Sequence, residues 1–153
     1  MKIGIINVSL GMETKASLRK SAELGADGVQ LWVAGGDLDP QNLTGTGRQD
    51  LLHFLKSINL EISALCGDLG KGYANPSVID WCIKRTKEII DLSVDLKAPI
   101  ITTHIGEISE DENSTGWKTM VAALTELGRY AEKYGSCLAT ETGPEEPKLM
   151  VKF

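Results

Sequence analysis

The sequence predicts an α/β fold in which parallel strands alternate with helices. Apolar runs and amphipathic segments alternate with a period of roughly 30 to 35 residues, as β-α-β units require. The apolar runs are continuous rather than alternating, which is typical of parallel strands covered by helices. Polar residues follow the ends of the second to fifth runs, the edge where parallel barrels place their active sites.

The first half of the chain contains two strands and two helices. Residues 2–8 form an apolar run that predicts the first strand, and residues 13–24 predict a helix that stops at a glycine. Residues 28–33 predict the second strand. After a loop rich in Gly, Asp and Pro, residues 48–58 carry leucine and isoleucine on one helical face, which predicts the second helix.

Three strands and two helices complete the pattern. They are predicted at residues 61–66, 75–96, 99–104, 117–134 and 137–141. Asn75 followed by Pro76 is a typical helix start, with the asparagine as N-cap and the proline in the first turn. After the fifth strand we expect only a short tail without its helix.

Composition and charge exclude several classes of protein. The 16 Lys and Arg against 21 Asp and Glu give a formal net charge of −5, which disfavours nucleic acid as the main partner. The three cysteines are widely spaced without a C-x-x-C pair, which fits a reducing compartment rather than a disulfide framework. No apolar run is long enough to span a membrane, and the amino terminus lacks a signal-peptide cleavage pattern. We therefore expect a cytoplasmic protein without nucleic-acid or membrane partners.

Two architectures of parallel strands fit these elements, a doubly wound open sheet and part of a (β/α)8 barrel. The first strand is not followed by a Gly-rich phosphate loop, and polar residues cluster at the strand ends, which favours the barrel. A complete barrel takes about 250 residues. We therefore expect residues 1–153 to form a single domain, an incomplete TIM barrel truncated after its fifth strand.

Two side chains at strand ends are the main candidates for chemistry. Glu141 ends the fifth strand, where a carboxylate held on a rigid element can bind a divalent cation or abstract a proton. An ordinary solvated glutamate is an equally good interpretation from position alone. His104 ends the fourth strand and could bind a metal or a substrate hydroxyl, although a half-buried structural histidine is somewhat more common.

Other polar and aromatic residues near the same edge are weaker candidates for substrate binding. Trp32 could stack on a sugar ring, although packing is the commoner use of tryptophan. Cys66 ends the third strand and could line the pocket, but no neighbouring base suggests a nucleophile. Glu145 lies just beyond Glu141 and could touch the substrate. Asp68, in the loop after the third strand, is interpreted as solvated.

Four segments in the expected order resemble one family of enzymes. Residues 25–32, 60–66, 103–106 and 138–145 are similar to the second, third, fourth and fifth strand signatures of sugar phosphate isomerases and epimerases, the xylose isomerase-like TIM barrels. No single segment is highly specific, but the ordered set covers nearly the whole chain. Members often carry Glu where Gln30 stands.

The resemblance implies proton transfer between adjacent carbons of a ketose or aldose, assisted by a divalent metal ion such as Mn, Mg, Co or Zn. It implies that Glu141 is the first metal ligand and a catalytic residue, with His104 near the substrate or the metal. The other ligands of that family would lie beyond Phe153. We therefore expect this chain alone to be weakly active or inactive.

Two alternatives stay open at this point. An endonuclease IV-like metal phosphodiesterase shares this barrel family, although such enzymes use His-rich sites and this chain has only 2 His. A non-catalytic barrel fragment is the other alternative. An open sheet exposes its edge strands, so we expect self-association through those edges.

Overall fold

The computed structural model describes residues 1–141, 143 and 146–153. In these residues strands and helices alternate. The strands are β1 (Gly4–Ile6), β2 (Gly28–Trp32), β3 (Glu61–Cys66), β4 (Ile100–His104) and β5 (Cys137–Glu141). The helices are α1 (Thr14–Glu23), α2 (Gly45–Ser57), α3 (Ile79–Asp95), α4 (Thr115–Lys133) and α5 (Pro147–Lys152). None of these helices is both long and apolar enough to cross a membrane.

The strands form one parallel sheet whose order, β1-β2-β3-β4-β5, follows the chain. Each strand is therefore joined to its neighbour by a helical crossover, the arrangement of the (β/α)8 barrel. The predicted fold class, parallel β/α units of a TIM barrel, is confirmed.

The core lies between the sheet and the first four helices. Because successive strand side chains point to opposite faces, one set faces the helices and the other lies on the inner face of the sheet. On the helix-facing side, Val29, Leu31, Leu65 and Ile101 are at most 1% exposed. The helices α1 to α4 each place at least one buried leucine or isoleucine in this core: Leu18, Leu55, Ile89 and Leu127. Burial of these apolar side chains is the main force that holds the layers together.

A buried ion pair ties the loop after β2 to α3. Arg85 is 6% exposed and donates to Asp39 Oδ2 at 2.5 Å, and it also donates to Glu88 one helical turn further on. Gln41 donates to the same Glu88 carboxylate at 3.0 Å. The charges are thus paired and hydrogen-bonded, which a buried arginine requires.

Several element boundaries differ from those predicted. β1 is shorter than residues 2–8 because the chain turns into a short 3₁₀ helix at Asn7–Leu10. Asn7 is buried, and its Oδ1 accepts a hydrogen bond from the backbone N–H of Trp32 at 2.8 Å. The side chain thereby substitutes for strand pairing at the end of β2.

The start of α3 also differs from the prediction. Asn75 does not cap the helix, because its Oδ1 accepts from the backbone N–H of Ser77 at 2.9 Å and forms a local turn. The helix begins only at Ile79. By contrast, Thr44 and Ser114 cap α2 and α4 with their side-chain oxygens, so those helices start two or three residues earlier than predicted.

The expectation that no helix follows the fifth strand is wrong. Pro147 opens the short helix α5, a favourable residue for the first turn because it lacks an N–H that would go unpaired. Phe153 then packs edge-to-face on Trp117 at a centroid distance of 5.0 Å. This contact joins the end of α5 to the first turn of α4.

The sheet has two edge strands, β1 and β5, which each pair on one side only within the described residues. Ile100, at the start of β4, is 44% exposed. Unpaired edges and exposed apolar side chains favour association with another chain. Self-association through the sheet edges stays a prediction.

The helix α4 and its end offer a test of backbone conformation. Gly128 lies inside α4 and Gly135, with φ +71°, follows its end, and an added Cβ would meet nothing within 4 Å at either position. We expect Gly128→Ala to raise the free energy of unfolding by about 0.5–1 kcal/mol, since glycine is a poor helix former. Gly135→Ala should lower it by roughly 1–2 kcal/mol because alanine is strained at positive φ. Urea unfolding of both variants measures the difference, and equal shifts would contradict this description of the helix end.

Candidate functional site

A cavity of about 570 Å³ opens at the carboxyl ends of the strands on the inner face of the sheet. It is lined by Ile6, Gln30, Cys66, Thr102, His104, Ala139, Thr140 and Glu141. The parallel register produces this grouping, since His104 pairs with Glu141 and Cys66 pairs with Thr102 across neighbouring strands. Three sequence-predicted site residues, Cys66, His104 and Glu141, therefore lie together.

The imidazole of His104 lies between two carboxylates. Its Nδ1 is 2.9 Å from Asp68 Oδ2, and its Nε2 is 3.3 Å from Glu141 Oε2. The Asp68 side chain is 28% exposed, whereas those of His104 and Glu141 are 55% and 59% exposed. The most polar part of the site is thus the open rim of the cavity.

Asp68, interpreted from the sequence as a solvated loop residue, instead contacts His104. Its second oxygen, Oδ1, accepts a hydrogen bond from the backbone N–H of Gly70 at 2.9 Å, so both carboxylate oxygens have partners. Its position two residues beyond a strand end was the one signal in the sequence. That signal does not separate a functional aspartate from the turn-forming aspartates that are common in loops.

The loop that carries Asp68 is held against the loop after β4. The backbone N–H of Tyr73 donates to the carbonyl of Ile105 at 2.8 Å, and Gly72 lies directly against Gly106. Tyr73 is 2% exposed, and its hydroxyl pairs with Thr86 of α3 at 2.8 Å. Burial raises the pKa of the Tyr73 hydroxyl, which therefore stays protonated as a structural anchor.

The floor of the cavity is neutral. Gln30 Nε2 donates to Thr102 Oγ1 at 2.6 Å, a contact between the inner faces of β2 and β4. The Cys66 side chain is half-buried beside them, and its thiol is free. A glutamate in place of Gln30 would add a negative charge to this floor. Gln30 itself is neutral.

The remaining predicted site residues lie elsewhere. Trp32 does not line the cavity that contains His104. Its ring packs against Gly35, and it borders a neighbouring cavity of about 300 Å³ together with Asn7 and Met12. Glu145 lies outside the described residues. Substrate binding by both residues stays a prediction.

A second cavity, of about 590 Å³, lies at the opposite end of the strands between Lys56, Leu60 and Lys97. That cavity is as large, but among its lining residues only Lys56, Lys97 and Glu61 could take part in acid–base chemistry. The carboxyl edge is also where parallel barrels place their active sites. We therefore regard the cavity with His104 and Glu141 as the candidate site.

Within residues 1–141, 143 and 146–153, no group of three or more His, Cys, Asp and Glu side chains is arranged to hold a metal ion. His104 and Glu141 nevertheless fit as two ligands of one ion. Ligands that each lie about 2.0–2.2 Å from a tetrahedral zinc ion are roughly 3.3–3.6 Å apart. The 3.3 Å between His104 Nε2 and Glu141 Oε2 is close to that separation.

Comparison with known proteins identifies relatives of the fold. A family model described as a xylose isomerase-like TIM barrel matches residues 18–151. A xylose isomerase domain protein from Planctomyces limnophilus has a TM-score of 0.82 at 20% identity, over 98% of this chain and 57% of that chain. A D-tagatose 3-epimerase-like protein has a TM-score of 0.75 at 20% identity, over 96% and 55% of the two chains. The probable 3-DHS dehydratase AsbF from Bacillus anthracis has a TM-score of 0.75 at 18% identity, over 99% and 57%.

Because the identities are only 18–20%, these likenesses show the fold alone. The names of the similar structures include both an epimerase-like protein and a dehydratase, so the fold does not by itself determine the reaction. This chain spans a little over half the length of those three proteins. No curated protein sequence matches it significantly.

The contact between the two loops at the site can be tested with Gly106→Ala. Gly106 has φ +87°, and an added Cβ would lie 3.1 Å from the Cα of Gly72. We expect a loss of about 2 kcal/mol in the free energy of unfolding, from backbone strain and overpacking together. Gly70→Ala is the matched control, since Gly70 has φ +64° in the facing loop after β3 but open space around the added methyl group. Equal losses in the two variants would show that the close approach of the loops contributes nothing.

Proposed function

The chain belongs to the xylose isomerase-like TIM barrel family, and from this premise we propose that it is of the sugar isomerase or epimerase type. The proposed reaction is metal-assisted proton transfer between adjacent carbons of a ketose or aldose, free or phosphorylated. The single observation that carries the proposal is the pair formed by His104 and Glu141 at the carboxyl edge of the sheet, 3.3 Å apart.

The donor set favours a divalent ion of the borderline type. A carboxylate and an imidazole nitrogen together suit Mn, Co or Zn, and the carboxylate also suits Mg. When bound, such an ion polarises the carbonyl and hydroxyl oxygens of a sugar and stabilises the negative charge that develops on proton removal. In this proposal Glu141 and His104 hold the ion.

The remaining residues of the cavity would orient the sugar. Thr102 and Gln30 present polar atoms on the inner face of the sheet, and Cys66 and Ala139 add less polar surface beside them. Neutral polar groups of this kind suit sugar hydroxyls, which both donate and accept hydrogen bonds. Glu141 also lines the cavity. Its carboxylate could therefore accept a proton from a sugar carbon that the bound ion leaves accessible.

Two protein donors are fewer than the four ligands of a typical zinc site, so the 153-residue chain by itself should bind the ion weakly and turn over slowly. Residues 1–153 would act as one domain in the cytoplasm. Self-association through β1 and β5 would bring two sheets together at their edges.

Replacement of Glu141 tests the ion site. We expect Glu141→Gln to weaken Mn²⁺ binding, measured by isothermal titration calorimetry, by at least about tenfold, since even outer-shell changes cost about 10- to 100-fold. The same variant should lose deuterium incorporation from D₂O into a ketose, an assay that detects very slow proton transfer by NMR.

Glu110→Gln is the matched control for this prediction. Glu110 is also an exposed carboxylate near the end of β4, but it does not line the cavity. It should leave both Mn²⁺ affinity and deuterium incorporation unchanged. If Glu141→Gln behaves like Glu110→Gln, Glu141 does not bind the ion and the proposed function fails.

The free cysteines report whether a sugar occupies the cavity. Cys66 lines the cavity, Cys137 is exposed at the far end of β5, and Cys82 is buried. Burial also raises the pKa of the Cys82 thiol, so it should react slowest with a thiol reagent. We expect a bound ketose to slow modification of Cys66 without affecting Cys137, as followed by mass spectrometry. Equal protection of both thiols, or of neither, would count against this cavity as the sugar site.

A further inference from the structure

A continuous series of polar contacts leads from the loop after β3 to the end of β5. The backbone N–H of Gly70 donates to Asp68 Oδ1 at 2.9 Å, and Asp68 Oδ2 lies 2.9 Å from His104 Nδ1. On the other side of the ring, His104 Nε2 lies 3.3 Å from Glu141 Oε2. The imidazole is therefore placed between two groups that, as carboxylates, only accept hydrogen bonds.

The number of protons on the ring decides how these contacts work. A neutral imidazole has one N–H, so it can donate to one of the two carboxylates and must turn a lone pair toward the other. The contact to Asp68 is 0.4 Å shorter than the contact to Glu141, from the 2.9 and 3.3 Å distances. Asp68 is also less exposed, at 28% against 59%, so its hydrogen bond competes less with water. Both differences favour Nδ1 as the site of the proton on the neutral ring.

We propose that Asp68 is a positioning residue that holds neutral His104 in the tautomer protonated at Nδ1, so that the Nε2 lone pair points toward Glu141. The use of this lone pair, as a metal ligand or as an acceptor for a substrate hydroxyl, rests on the proposed function. The assignment of the tautomer is independent of that function. A histidine ligand whose second nitrogen donates to a carboxylate is oriented and made more basic by that contact.

Asp68 is suited to this role because its own position is fixed. One oxygen is held by Gly70, and the loop is pinned by the hydrogen bond from Tyr73 to Ile105. An exposed ion pair between mobile side chains, by contrast, is worth little and fixes no geometry. The anchored carboxylate explains why a ring that is 55% exposed can still have a defined orientation.

The tautomer can be measured directly because the chain contains 2 His. Long-range ¹H–¹⁵N correlation spectra of the imidazole rings distinguish a protonated nitrogen from one with a free lone pair. The spectra would be recorded at about pH 9, above the ordinary histidine pKa of about 6.5. His53 is exposed on α2 and provides an internal reference for a solvated ring.

The informative variant is Asp68→Asn. Its one oxygen can pair with Gly70 only if the amide NH₂ faces His104, and an NH₂ group donates to a lone pair on Nδ1. The proton should then move to Nε2. Glu141→Gln is the matched control, because it also removes one carboxylate from beside the ring but leaves the Asp68 contact, and it should keep the proton on Nδ1.

The expected result is Nδ1–H in the unaltered chain and in Glu141→Gln, with a shift of the population toward Nε2–H in Asp68→Asn. A second measurement, Zn²⁺ titration by calorimetry, should show about 10- to 100-fold weaker binding in Asp68→Asn than in Glu110→Gln. A major Nε2–H form in the unaltered chain, or an unchanged tautomer in Asp68→Asn, would overturn the proposal. If the unaltered chain binds no divalent ion, the proposed function fails while the tautomer still decides the role of Asp68.

Discussion

The candidate site depends on one constraint, the parallel register of β4 and β5 that pairs His104 with Glu141. A slip of one residue would turn Glu141 toward the helices, because strand side chains alternate between the two faces. Three positions earlier in the same register, Ile101 is paired with Leu138, and Ile101 is 1% exposed in the core. The apolar packing that stabilises the sheet therefore also fixes the separation of the two polar side chains at its edge.

The charges at that edge do not balance within the described residues. Asp68 and Glu141 face a single imidazole, and a neutral ring has one N–H, so it can donate to only one of the two carboxylates. A divalent ion next to Nε2 would pair with the other. The proposed ion site and the proposed tautomer are thus two consequences of the same arrangement, and the anchored position of Asp68 makes the ring nitrogen nearer Glu141 the one left for a ligand.

The sequence predicted the parts of the structure that follow from local patterns. The strands were recognisable as continuous apolar runs, and His104 and Glu141 were placed correctly at one edge because the ends of parallel strands meet there. Asp68 could not be assigned, since its contact to His104 joins residues 36 apart in sequence and requires two loops to pack at Gly72 and Gly106. The predicted start of α3 at Asn75 is wrong because the Asn75 side chain forms a local turn with Ser77 instead of capping the helix.

The cavity has a neutral floor and a charged rim. Gln30 and Thr102 are neutral side chains that hydrogen-bond to each other, so they add no net charge to the cavity. The charged groups are therefore concentrated at Asp68, His104 and Glu141, which lie on the open side of the cavity. Under the proposed function, a sugar in this cavity would meet charge at one end and neutral polar or apolar surface at the other. That asymmetry would orient its oxygens toward the rim before any chemistry takes place, which is the contribution that a preformed site makes to reaction rate.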